Sequence, residues 1–394
     1  MNVAFINAVP YGSTGHIVAS LADALRKEGH NTLVTSGFTW VKSRRDDFVM
    51  TSGIVEKTLH TLLARRTGRI GTYSRHATKK LIRRLRAFSP DVLHLHNLHG
   101  WFINLPMLFD YIKENNVRVI WTLHDCWAFT GHCPHFDAVG CVKWKDGCHH
   151  CSQHRLYPES KKDASAEMWK KKKAWFTGVE NLTVVTPSRW LKELVKESFL
   201  KDYPVRVIPN GIDLSLFAPR KTAKADGQKP YSILGVSYAW NEKKGLDVFQ
   251  TLANTLGEDY RITLVGTDEE TEKHLPASVN AIRRTQSREA LAALYAEADL
   301  FVNPTREENF PTVNLEALAC GTPVLTFATG GSAEMLTDAT GESVPKNDTI
   351  LLTERVKYLC ETAPLSREAC RKRAEEFSEE KSLSAYLDLY FEEL

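Results

Sequence analysis

Long apolar runs are missing from this chain: nowhere in its 394 residues are there the ~20 consecutive apolar residues that a bilayer-crossing helix needs. Its first residues, Met1-Asn2-Val3-Ala4-Phe5-Ile6-Asn7, have neither the basic start nor the long apolar core of a signal peptide, and they read as a buried strand. The expected location is the cytoplasm, at most peripheral on the inner face of the cell membrane. An excess of one charge is also lacking. Lys and Arg number 51 against 48 Asp and Glu, and a net charge of +3 does not by itself imply a nucleic-acid partner. The glycine loop after the first strand, Pro10-Tyr11-Gly12-Ser13-Thr14-Gly15, is not Gly-x-Gly-x-x-Gly, which weakens a dinucleotide reading. Disulfides are disfavoured too, because the eight cysteines of a chain in a reducing compartment are more readily free or metal-bound.

What is present is an ordinary globular composition, 43% hydrophobic and 25% charged, on a chain long enough for two domains. Residues 3–7 form a strand, and Ile17, Val18, Leu21, Ala24 and Leu25 recur at helical spacing. Residues 31–35 return as a second strand, completing a βαβ unit. Strands follow at 92–96, 117–123 and 182–188, where Ser188 caps the next helix; the first domain closes through 205–213, and strands resume at 232–236, 261–266, 300–304 and 323–327, with helices such as 290–298 between them. This alternation is that of two Rossmann-like α/β domains. The stretch from Arg220 to Lys229 is polar and aperiodic, a linker or exposed loop.

The densest chemistry lies between Arg306 and Pro323. Pro311 suits a first helical turn, and Gly321 and Pro323 stop the helix, so it is expected to begin almost on Glu308. Seven residues separate Glu308 from Glu316. One carboxylate therefore sits in the loop at the positive end of the helix and the other about two turns along it. Helix-start amides hold phosphate, while carboxylates accept hydrogen bonds from neutral hydroxyls. The combination fits a phosphorylated sugar or nucleoside. Upstream, Lys243-Lys244-Gly245 precedes a helix and sets an ammonium beside another anion-binding terminus. His124 stands at the carboxyl end of an apolar strand, where open α/β sheets bind ligands.

Two basic stretches stand out. Residues 57–86 carry ten Lys and Arg interleaved with leucines, and residues 168–176 place four lysines between Trp169 and Trp175. Both are candidates for anionic lipid or polyphosphate, weighed against plain solvated helix faces. Between them, Cys133, Cys141, Cys148 and Cys151 form an outer pair and a Cys-x2-Cys knuckle in a glycine-punctuated loop. Four thiolates around one structural zinc is the natural candidate. His132, His135, His149, His150 and His154 are alternative ligands, Cys126 is a candidate core residue, and reduced thiols or a disulfide are the bland alternative.

The Glu308-x7-Glu316 pair followed by Ala317-Leu318-Ala319-Cys320-Gly321-Thr322-Pro323-Val324-Leu325, together with Thr122-Leu123-His124-Asp125 and Ile208-Pro209-Asn210-Gly211-Ile212-Asp213, resembles the retaining glycosyltransferases of family four. The resemblance implies a GT-B fold of two Rossmann-like domains facing across a cleft. Residues 1–210 would be the acceptor-side domain with a Cys-rich insertion at 126–157, residues 211–375 the nucleotide-sugar domain, and 376–394 a helix packing back on the first domain. It implies transfer of a hexosyl-type sugar from a nucleotide diphosphate donor to a saccharide or lipid-linked acceptor hydroxyl. Anomeric configuration would be retained, with no catalytic metal and no nucleic-acid partner. Members of the exopolysaccharide, capsule and O-antigen type look to carry a similar cysteine insertion, a folded ornament beside the cleft. The catalytic roles pass to His124, Glu308 and Lys244. Donor binding passes to Gly15, Lys243, Asn309, Phe310, Thr312, Val313 and Glu316. Two departures are visible: the arginine expected shortly before the lysine is absent near Tyr238, and Pro311 removes a backbone donor, leaving the amides of Phe310, Thr312 and Val313. The rival expectation is a zinc-stabilised protein that binds nucleic acid or another polyanion without catalysis.

Overall fold

The computed structural model describes residues 1–37, 39, 48–220 and 228–392, so most of the linker expected between Arg220 and Lys229 lies outside the described residues. The chain divides into two compact units, Met1–Ile208 with Leu383–Leu394, and Pro209–Ser382.

The first unit is built on a seven-stranded sheet. Its strands are β1 (Asn2–Asn7), β2 (Asn31–Ser36), β3 (Phe48–Met50), β4 (Val92–Leu95), β5 (Arg118–Thr122), β6 (Leu182–Thr186) and β7 (Val205–Val207), in the order β3-β2-β1-β4-β5-β6-β7. Every pairing is parallel. Parallel strands with helices on both faces must be apolar on both sides, and β1 shows it. Ala4 and Ile6 join one core, while Val3 and Phe5 join the other.

The second core is completed by Tyr386, Leu389 and Tyr390 of the helix Glu379–Phe391. That helix is held at its end by Arg118, whose guanidinium donates to the carbonyls of Leu389 and Tyr390 at 2.6 and 2.8 Å. These last-turn carbonyls have no partner within the helix. Tyr390 Oη lies 2.6 Å from His94 Nδ1, and Tyr386 Oη lies 3.1 Å from Thr122 Oγ1.

Two expectations about this unit are corrected. The cysteine-rich insertion is not an ornament: Trp127, Phe129, Phe136 and Trp144 are buried in the principal core, with the Phe136 and Trp144 rings stacked at 4.9 Å. The run 168–176 is only in part a surface: Lys170 and Lys173 are exposed, and Lys171 and Trp175 are half-buried. It forms part of the helix Ser165–Phe176, which turns Met168, Trp169, Lys172 and Phe176 inward, and Trp169 Nε1 donates to the Trp144 carbonyl at 2.8 Å. Helical periodicity alone cannot say which arc of a helix carrying both tryptophan and lysine faces the core. The first basic run forms two helices, Ile54–Thr67 and Arg75–Phe88. The latter buries Ala77, Thr78, Leu81 and Leu85, whereas the former leaves Val55, Leu59 and Leu62 more than half exposed.

The second unit carries a six-stranded parallel sheet of β8 (Tyr231–Val236), β9 (Tyr260–Val265), β10 (Asn280–Ile282), β11 (Leu300–Asn303), β12 (Val324–Phe327) and β13 (Gly341–Val344), in the order β10-β9-β8-β11-β12-β13. Its two cores lie on opposite faces of β11, with Phe301 in one and Leu300 and Val302 in the other. Ile212 is tied to the segment before the last helix, its amide donating to the Phe377 carbonyl and its carbonyl accepting from the Glu379 amide, each at 2.9 Å. No helix among the described residues is long and apolar enough to cross a membrane.

Candidate active site

In the second unit, β11 runs into a loop and then into the helix Thr312–Ala319, with extended Pro311 as its N-cap. The helix begins four residues after Glu308, later than the sequence pattern suggests. Loop contacts that the pattern does not reveal hold Glu308 to Phe310 outside the helix. The Gly331 amide donates to the Asn309 carbonyl at 2.7 Å. Gly330 sits at a φ of +56°, and a β-carbon there would lie 1.9 Å from the Glu308 carbonyl oxygen, so only glycine closes this turn over the loop. Phe310 is buried against Phe377, and its carbonyl accepts from Asn210 Nδ2 at 3.2 Å. Asn309 is buried, while Thr312 and Val313 open the helix half-buried.

The lysine segment meets this loop directly. Glu242–Lys244 is a single 3-10 turn capped by the Asn241 side chain, which accepts from the Lys244 amide at 3.1 Å. Gly245 follows at a φ of +78°, where a β-carbon would come within 2.6 Å of the Pro304 carbonyl oxygen. With that close approach, Lys244 Nζ reaches Glu308 Oε2 at 2.9 Å and the Glu307 carbonyl at 3.4 Å. Lys243 Nζ pairs with Glu307 Oε2 at 2.7 Å. The helices Leu246–Thr255 and Thr312–Ala319 both begin beside these pairs.

Sequence reading missed Glu307, whose carboxylate is 7% exposed and whose Oε1 lacks a hydrogen-bond partner. It also missed Arg306, which grips Asp247 with two bonds of 2.8 and 2.7 Å and Asn347 Oδ1 at 2.7 Å. Nothing in the spacing of Arg306 and Asp247 signals that contact. Tyr238, where the family pattern has arginine, is fully exposed.

Glu316 stands apart from the lysine pairs. Its Oε2 accepts from Tyr295 Oη at 2.8 Å, and burial pushes its carboxyl up to about 7, opposed by that hydrogen bond and by the charge of Arg288. Tyr295 reads from sequence only as a core position of the helix Arg288–Glu297, and its partner appears only when helices of the second unit pack together.

In the first unit Gly15 is buried as the fourth residue of the helix Gly12–Lys27. A β-carbon on Gly15 would lie 2.5 Å from the Pro10 carbonyl carbon, so tight packing alone demands glycine there. The amides of a helix that lack internal acceptors are those of its first turn, which here begins at Gly12. His124 follows β5 and lines a small pocket with His96, His99, Asp125 and Trp127. His124 Nε2 is 3.0 Å from His96 Nδ1, and the rings stack at 5.3 Å. Burial lowers the His124 imidazole to about 4, with Asp125 opposing, so it is neutral at physiological pH. Asp125 accepts from His99 at 3.0 Å and from the Trp127 amide at 2.8 Å. Burial acts to raise its carboxyl, but the charge and hydrogen bond of His99 bring it down to about 2. His99, 2.9 Å from Tyr157 Oη, was not among the sequence candidates.

Cys133, Cys141, Cys148 and Cys151 are free thiols that line one cavity of about 30 Å³. Among the described residues no three His, Cys, Asp or Glu side chains are already gathered as a metal cage. The Cys133 and Cys151 thiols hydrogen-bond each other, and Cys148 Sγ accepts from the Gly131 amide at 3.1 Å.

The family model for Glycosyltransferase Family 4 matches residues 14–216, more than half of the chain. The chain belongs to glycosyltransferase family 4. A second model, for group 1 glycosyl transferases, matches residues 231–362 of this family 4 glycosyltransferase. Among curated proteins it is 26% identical over 324 residues to a putative colanic acid biosynthesis glycosyl transferase, WcaC, of Escherichia coli K12, covering 77% of each chain. Its fold matches GT-B glycosyltransferase structures. These include sucrose-phosphate synthase from Thermosynechococcus elongatus, with a TM-score of 0.71, 18% identity and coverage of 99% and 98% of the two chains. HepE of Anabaena, solved with UDP and glucose, matches with a TM-score of 0.67, 14% identity and full coverage of both chains. Family membership decides for a glycosyltransferase over the non-catalytic polyanion binder.

Proposed function

We propose that this glycosyltransferase moves a hexosyl-type sugar from a nucleoside diphosphate donor to a hydroxyl of a saccharide or lipid-linked saccharide, with retention at the anomeric carbon, in bacterial surface polysaccharide synthesis. The observation that carries the donor assignment is the meeting of Lys244 with Glu308 at 2.9 Å beside two helix starts. A leaving diphosphate develops charge as the anomeric C–O bond breaks, and an ammonium with oriented amides stabilises it without reorganising. Lys243 adds a second cation, so the absent arginine is compensated in charge. Glu308 takes donor-sugar hydroxyls and Glu316 the ribose hydroxyls. His124, held neutral, offers a hydrogen bond to the reacting sugar. The new bond joins the acceptor oxygen to the anomeric carbon, and the acceptor proton leaves on the departing phosphate oxygen. The relationship to a colanic acid enzyme supports the polysaccharide context.

The exposed Val55, Leu59 and Leu62, with Arg66 nearby in sequence and Arg65 and Arg69 paired at the surface with Glu159 and Glu167, fit contact with an anionic inner leaflet, where lipid-linked acceptors reside. The test is a panel of nucleoside diphosphate sugars with saccharide acceptors, followed by NMR of the product's anomeric proton. Turnover with the donor configuration kept is expected. Inversion, or no turnover with any donor, would sink the proposal.

A further inference from the structure

The cavity in the cysteine-rich loop adjoins a buried lysine that glycosyl transfer does not use. Lys172 is 1% exposed. Its ammonium donates to the carbonyls of Trp127 and Thr130 at 2.5 and 2.9 Å and lies 3.3 Å from the centre of the Trp127 ring. It forms no ion pair with a carboxylate of the described residues. Taking a lone ammonium out of water costs several kcal/mol, which two carbonyls and a ring face offset only in part. Burial pushes the Lys172 amine well below its ordinary range, and the acidic groups that oppose this are Cys148, Cys133 and Asp125.

The surroundings are shaped to the same end. Lys172 holds the turn at Trp127–Thr130, and the next residue, Gly131, points its amide at Cys148 Sγ. A β-carbon on Gly131 would fall 2.2 Å from the Ser165 carbonyl oxygen and 2.8 Å from Cys148 Cβ, so glycine is required for that amide to reach the sulfur. Asp163 accepts from the amides of Cys151 and Ser165 at 2.7 and 2.9 Å and binds the knuckle to the helix that carries Lys172. Amide-to-sulfur bonds and a nearby cation stabilise thiolates more than thiols.

We infer that Cys133, Cys141, Cys148 and Cys151 bind one structural zinc ion as thiolates, with Lys172 as the buried counter-ion of the site. Four thiols exchange their protons for one Zn²⁺, leaving a centre of charge −2 and releasing four protons. One ammonium then neutralises half of that charge. The four sulfurs line a cavity the size of a single ion or water. In this account the thiols pair with neighbours because each still carries its proton. The site goes beyond the proposed sugar transfer and stands whether or not that assignment holds.

The test begins with the metal content of the full chain purified without chelator, where about one zinc per chain is expected. Titration with a thiol-blocking mercurial should release that zinc as four thiols react together, and cobalt exchanged into the protein should show the strong visible bands of a tetrahedral thiolate centre. Since Cys148→Ser risks misfolding, Lys172→Met and Lys172→Arg supply a second arm. Chelator competition should show zinc held about 10- to 100-fold more weakly in Lys172→Met, the usual cost of losing an outer partner, and largely restored in Lys172→Arg. Zinc far below one per chain with no cobalt–thiolate bands, or a Cys133–Cys151 disulfide in the freshly isolated protein, overturns the site. Zinc held equally by the parent and Lys172→Met overturns the counter-ion role.

Discussion

The two units share an architecture and differ in how they keep polar groups inside it. Thirteen of the fourteen histidines and every tryptophan except Trp240 precede residue 208. There burial holds His60 and His94 down at about 3, His124 and His132 at about 4, and His96 well below its ordinary value. The first unit thus buries neutral rings, linked through hydroxyls and one another, beside the Asp125 carboxylate and the Lys172 amine. The second has no such histidine and uses Glu–Lys and Arg–Asp pairs, with one carboxyl, that of Glu316, raised by burial. The same layered sheet supports an array of buried rings in one unit and a cluster of Glu–Lys and Arg–Asp pairs in the other, so chemistry follows the loops and not the fold.

The difference can be broken most forcefully with acid. Histidines depressed in the folded state leave stability intact above about 6.5 and withdraw it as pH falls towards 4, because the unfolded chain takes up protons that the folded chain refuses. Summed over five histidines, the loss is on the order of several kcal/mol. Tryptophan emission, which reports almost wholly on the first unit, should shift in this range before amide exchange in the second unit rises. Simultaneous loss of both would remove the distinction. Next in size is Lys244→Ala, expected to lower turnover by roughly 10²–10³-fold, the cost of deleting one preorganised donor to a developing anion, while tryptophan emission and melting stay as in the parent.

Gly330→Ala is expected to cost about 1–3 kcal/mol, because the left-handed backbone is strained by a side chain and the β-carbon meets the Glu308 carbonyl. Activity should fall with it, and exchange protection should drop in residues 304–312 and not in the first unit. The smallest effect is of opposite sign to the acid response. Glu316, raised to about 7, contributes a stability that is full below about 4.5 and declines as pH rises to 7. Glu316→Gln should therefore lose less stability than the parent between about pH 5 and pH 8, by about 1 kcal/mol once its partial exposure is allowed for.

Much of this was readable from residues alone. Strand and helix order followed from apolar runs and period, since parallel strands buried on both faces leave little ambiguity. The placing of Glu308 in a loop and Glu316 on a helix followed from Pro311 and Gly321. What escaped were contacts between residues far apart in sequence: Glu307 with Lys243, Arg306 with Asp247, Tyr295 with Glu316, His99 with Asp125 and Tyr157. Each is a polar pair whose members look like surface or core residues until packing brings them together. The inward turn of Trp169 and Lys172 escaped for a related reason, because an amphipathic side chain suits either side of a helix.

The central claim is that the second unit recognises a diphosphate through Lys244 beside Glu308, and calorimetric titration of nucleoside diphosphates into the parent and Lys244→Ala tests it most directly. One charge-assisted contact is worth about 1.5–3 kcal/mol, so the variant should bind its preferred nucleoside diphosphate roughly ten- to a hundredfold more weakly with melting unchanged. Equal affinity in the two proteins would contradict the assignment.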